Sequence, residues 1–136
     1  MPVFHNTDVA RLILRLTCGG LLFLHGSSSA IHGIQHIRDM VRNAGLPEFI
    51  AYGNLVGEVM APLFLIAGYK TRIAALVIAF NMLMSVLIAH RDIVFIRNDF
   101  GGWMIELNVF YFMTALAVFF LGSGKYGLSG GKGRWD

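Results

Sequence analysis

Residues 50–72, IAYGNLVGEVMAPLFLIAGYKTR, are long and apolar enough to cross a bilayer, yet they carry a carboxylate, Glu58, near their middle. A hydrocarbon core about 30 Å thick takes a helix of roughly 20 apolar residues. A charge at the centre of such a helix costs from about 2.5 kcal/mol upward. Glu58 is therefore expected to be partnered, neutral, or turned toward a polar cavity inside a helix bundle. Three further apolar runs are available to build that bundle.

Composition agrees with a membrane chain. Of 136 residues, 56% are hydrophobic and only 14% charged, and the mean hydropathy of +0.64 is hard to reconcile with a soluble domain. The net charge of +3 does not indicate nucleic acid as a partner, because Lys and Arg are scattered singly or in pairs between apolar runs. They read as topology signals, and the expected partner is the lipid bilayer. Cys18 is the single cysteine, which leaves no internal disulfide, CxxC pair or cysteine-rich zinc site.

The first span is expected to begin at Val9 or Leu12 and end at Ala30, with Asp8 as its cap and the small residues 26–29 allowing close helix contact. It contains Arg11 and Arg15 and no small-x-small cleavage site, so it reads as mature helix rather than a signal peptide. In residues 30–47, Ile34, Ile37, Val41 and Ala44 recur at helical spacing against His36, Arg38, Asp39 and Arg42. That pattern predicts a short amphipathic helix at the interface, ended by Gly45-Leu46-Pro47. In the second span Pro62 should kink the helix and free a carbonyl close to Glu58. The short turn 68–72 makes the second and third spans antiparallel neighbours. The third span is expected over 73–90 and, after a loop with Arg97, Asn98, Asp99, Gly101 and Gly102, the fourth over 103–121.

The fold class that follows is all-α: an integral membrane four-helix bundle over residues 1–128, with a short interfacial amphipathic helix between the first and second spans. Residues 129–136 are expected to form a flexible cytoplasmic tail. Four spans return both termini to one side. Arg11, Arg15, Lys70, Arg72, Lys125, Lys132 and Arg134 fall on that side, so the positive-inside rule puts both termini in the cytoplasm.

At about 1.5 Å per residue, Glu58 falls near the midplane, and His25, His90 and Glu106 fall in the outer half, one titratable side chain per span. Together they are the candidate catalytic or proton-handling group. Each also has a plainer reading, as a polar group satisfied within the bundle or at the interface. Arg15, Glu58 and Asn108 are candidates to bind a ligand, and Arg15 can also reach a carbonyl or carboxylate across the bundle. No haem or flavin motif is visible. No metal is expected either, since His25, His90, Glu58 and Glu106 lack HxxxH or ExxH spacing. The tail GSGKYGLSGGKG lacks the Gly-Lys-Ser/Thr ending of a P-loop.

Several blocks occur in order along nearly the whole chain: Arg15 with LLFLHG ending at Gly26, then Gly45-Leu46-Pro47, then Glu58 followed by LIAGYKTR. His90, Glu106-Leu107-Asn108 and GSGKYGLS from Gly122 complete the series. In these blocks the chain resembles the DoxX-like family of small four-helix membrane proteins. Family members often carry a Lys after the first-span Gly, where this chain has Ser27-Ser28-Ser29. Many end in Leu-Ser-Leu-Asp, where it has Leu128-Ser129-Gly130-Gly131. The resemblance implies a multi-pass protein of the bacterial cytoplasmic (inner) membrane and points to redox: the family name comes from a subunit of a quinone-reducing thiosulfate dehydrogenase, and other members associate with oxidative-stress enzymes.

Two functional expectations follow. In the first, the chain is a membrane subunit that handles a quinone or a similar lipophilic redox carrier at Glu58, with electrons supplied by a redox protein partner. In the second, it is a non-catalytic scaffold for redox or stress enzymes, and its polar residues serve helix packing. A homo-oligomer is compatible with either.

Overall fold

The computed structural model describes residues 6–136. Residues 1–5 of the expected domain lie outside the described residues. The chain is all-α, with helices α1 (Thr7–Ile31), α2 (Gln35–Asn43), α3 (Ile50–Ala67), α4 (Thr71–Ala89) and α5 (Glu106–Leu121). α1, α3 and α4 are each long and apolar enough to cross a membrane, and α5 is a shorter apolar helix. Consecutive long helices run antiparallel; α1 packs on α3 and α5, and α4 packs on α3 and α5, which closes the bundle.

Small residues bring the backbones together. The core joins Cys18 and Leu22 of α1, Ala61 and Leu65 of α3, Ala74, Ala75, Ile78, Ala79 and Met82 of α4, and Tyr111, Ala115 and Val118 of α5. Alanines at the contacts suit association in lipid, where close packing rather than water exclusion drives helices together. The outward faces carry Leu21, Leu24, Phe80, Phe110, Met113 and Phe120, as a bundle one helix thick in contact with acyl chains requires.

Three local expectations are corrected. The cap of α1 is Asn6, whose side chain accepts from the Val9 N–H; Asp8 instead pairs with Arg11 and accepts from the Lys125 N–H. The amphipathic helix is shorter than residues 30–47, because Ile31 still belongs to α1 and Gly33, at φ +87°, breaks the chain before α2. The last helix starts at Glu106, not Trp103. A turn built on Asn98, whose side chain accepts from the N–H groups of Phe100 and Gly102, takes up the residues before it.

Residues 129–136 lie against the α3–α4 turn. Ser129 Oγ donates to the Gly68 carbonyl, the Lys70 N–H donates to the Asp136 carboxylate, and the Arg72 N–H donates to the Trp135 carbonyl. Asp8 accepts from the Lys125 N–H, so both ends of the described chain lie at the end of the bundle that carries the α3–α4 turn, and α2 covers the opposite end.

Candidate functional site

Pro62 shapes the site. It has no N–H to give to the carbonyl one turn back, at Glu58. α3 widens here into a π turn over Val56–Met60, with the Ala61 N–H reaching back to the Val56 carbonyl. Such bulges often mark functional positions in helices. Glu58 lies within this one and projects into the bundle with 7% of its side chain exposed.

Two glycines let neighbouring helices close around it. A methyl group added at Gly26 of α1 would overlap the Glu58 carbonyl, and one added at Gly57 would overlap the Asn81 side chain of α4. Glu58 is thus held between α1 and α4. Its Oε2 has no hydrogen-bond partner among the described residues. His25 approaches it with Nε2 4.0 Å from Oε2. His25 is itself 63% exposed, so one side chain connects the buried acid to the surroundings of the bundle.

Glu58 forms part of the wall of a cavity of about 620 Å³ lined by α1, α2, α3 and α4 and open at its side, where Phe80 and His25 are exposed. Val77, Phe80, Met84, Ile88, Ile37, Met40 and Ile50 make it mainly apolar, and Glu58, Asn54 and Asn81 form a polar patch. α2 roofs it: its apolar face points down into the cavity and includes the buried Val41. Arg38 and Arg42 both grip the Glu48 carboxylate, Arg38 through Nε at 3.2 Å and Nη2 at 2.7 Å, and Arg42 through Nε at 2.9 Å and through Nη2. This fastens α2 to the start of α3. Hydrogen bonds from Arg38 and then Arg42 hold the Glu48 carboxyl below the usual carboxylate range.

Of the residues singled out from sequence, the structure brings His25, Glu58 and His90 to this cavity and leaves three out. Glu106 is exposed at the start of α5 beside the Asn98 turn. Asn108 joins α5 to α4 through Ser85 Oγ at 3.3 Å. Arg15 is fully buried nearer the other end of the bundle, where it donates to the carbonyls of Leu65 and Ile66 at the end of α3 and of Tyr126. It neutralises a helix C-terminus rather than Glu58.

Sequence reasoning missed Asn54, Asn81, Ser85 and His36 as cavity residues. Asn54 lies one turn before Glu58 on the same face, and Asn81 Nδ2 donates to Asn54 Oδ1 at 3.4 Å. One amide a helical turn from an intramembrane acid, Asn54, was the available signal; Asn81 lies on the neighbouring span. His36 carried none, because a polar face on an interfacial helix is ordinarily solvated. Among the described residues, no three His, Cys, Asp or Glu side chains gather as a metal-binding group. The model of one family, DoxX, matches residues 10–91, more than half of the chain. No curated protein and no solved structure matches it.

Proposed function

Since the chain belongs to the DoxX family, we propose that it is a membrane subunit whose cavity takes the head of a quinone or a comparable lipophilic redox carrier. The observation that carries this reading is the unpartnered Glu58 Oε2 at the wall of an otherwise apolar cavity. A buried polar atom without a partner costs about 1–3 kcal/mol. A ligand hydroxyl that donates to Oε2, or a carbonyl oxygen that accepts from the protonated acid, removes that cost, while the surrounding Phe, Met and Ile side chains accept a flat apolar ring.

A bound quinone would supply a two-electron, two-proton acceptor, with electrons delivered by a partner redox protein. The chain's own residues bind and handle protons. The Asn54 and Asn81 amides orient an oxygen beside Glu58, Glu58 exchanges a proton at Oε2, and His25 restores it from the exposed side. Membership of the family supports a bacterial cytoplasmic membrane as its location, and the distribution of Lys and Arg supports termini inside and the cavity toward the outer face.

Titration of the purified protein with a short-chain ubiquinone analogue tests the reading. Saturable binding by wild type, weakened about tenfold in Glu58→Leu, is expected for the loss of a hydrogen bond donated by the protonated Glu58 carboxyl to a quinone carbonyl. No saturable binding, or equal binding by both proteins, overturns it. Unchanged binding with a lower melting temperature in the variant would identify Glu58 as a packing residue of a scaffold.

A further inference from the structure

The loop between α4 and α5 has the wrong surface for an aqueous connection. Phe95 and Phe100 are 96% and 97% exposed, more than any other large apolar side chain among the described residues. Trp103 and Met104 are exposed beside them.

The loop also sits deep. Asn108 is level with Met82 and Ser85 of α4, to which its Nδ2 donates. Antiparallel packing then starts α5 roughly one turn, about 5 Å, below the end of α4. α5 has 16 residues, about 24 Å of helix, against a hydrocarbon core of about 30 Å. The residues before Glu106 occupy the missing depth.

Non-helical backbone at that depth is tolerated only if its polar groups are satisfied, and here they pair within the loop. The Asn98 N–H donates to the Gly102 carbonyl at 2.7 Å and the Met104 N–H to the Ile96 carbonyl at 3.0 Å. Trp103 Nε1 donates to the Val94 carbonyl. Backbone groups paired within the loop, aromatic rings turned outward and the exposed charges of Arg97 and Asp99 suit the headgroup and upper acyl region, where aromatic side chains concentrate and charged ones reach the headgroups.

We infer that residues 94–105 form an aromatic hairpin immersed in the lipid leaflet on the α2 side, where it completes the fourth span. This stands independently of any ligand in the cavity. The depth of the loop, its exposed Phe95 and Phe100 rings and its internally paired backbone groups commit the proposal to lipid as the occupant, since such a loop needs no further polar partner at interfacial depth.

The test uses the full chain in phosphatidylcholine nanodiscs, with Phe100→Trp as reporter and the native tryptophans removed by Trp103→Phe and Trp135→Phe. Lipid brominated in the upper acyl chain should quench the reporter by about twofold or more, with aqueous iodide nearly without effect, as expected for a ring at interfacial depth. Quenching by iodide alone would place the loop in water and overturn the inference. Protection from both quenchers would mean cover by protein and would overturn it equally. Since Trp103 itself ties the loop together, Phe100→Cys carrying a polarity-sensitive dye in the otherwise native chain provides a second reading; a water-like emission there is also a refutation. Cys18 is buried between helices and does not compete for the dye.

Discussion

Gly26 sets how closely α1 approaches the acid. A methyl group there would come within 2.6 Å of Glu58 Cβ and would overlap its carbonyl, so Gly26→Ala must push α1 and α3 apart. Overpacking of this kind costs about 1–3 kcal/mol, and thermal unfolding in detergent should show the loss. Gly20→Ala, where an added methyl would meet nothing, should melt like wild type. Arg15 gives a second prediction. Arg15→Leu leaves the Leu65, Ile66 and Tyr126 carbonyls short of a buried donor, at about 1–3 kcal/mol for each group left unpaired. Arg15→Lys should recover only part of this, because an ammonium lacks the planar fork that reaches several carbonyls at once. Glu58 was legible from sequence as a group turned into the bundle, because a carboxylate amid apolar residues is costly to leave in lipid. Arg15 was ambiguous: its position permitted a carboxylate partner, and only the fold shows a helix end in that place.

At the scale of the element, α2 is the cover of the cavity, and its hold on α3 depends on pH. The Glu48 carboxyl is held below its ordinary range by Arg38 and Arg42, so the folded state binds a proton there less readily than the unfolded chain. The clamp's contribution is complete above the ordinary carboxylate range and is lost as pH falls through that range to the lowered folded value. Amide exchange of residues 35–43, corrected for intrinsic rates, should therefore accelerate on acidification. In Glu48→Gln it should be fast at every pH. Amphipathic spacing alone identified α2 as interfacial, since one apolar face at helical period reads the same over lipid or over a cavity. Its role as a roof follows from Gly33 and Gly45, both at positive φ, which turn the short helix back over α3 and α4. The start of α5 was misread for a related reason: hydropathy is continuous through Trp103, and the turn that precedes the helix depends on hydrogen bonds from the Phe100 and Gly102 N–H groups to the Asn98 side chain.

At the scale of the whole molecule, an antiparallel bundle puts the ends of the described chain and the α3–α4 turn on one side, and the Lys and Arg distribution predicts that this side is cytoplasmic. A fluorescent protein fused after Asp136 should fluoresce in bacteria, and alkaline phosphatase fused at the same point should stay inactive. The opposite pair of results would reverse the orientation derived from the Lys and Arg distribution. What the amino-acid order determined by itself is the set of long apolar helices, the amphipathic segment between the first two spans and the one acid that had to be hidden, because each depends on hydropathy read along the chain. The tertiary structure alone decided which polar groups meet: His25, Asn54 and Asn81 converge on Glu58, while Glu106, Asn108 and Arg15 are spent elsewhere. Linear spacing gives the depth of a side chain but not the rotation of its helix, and that rotation is set by where glycine and alanine allow two backbones to touch.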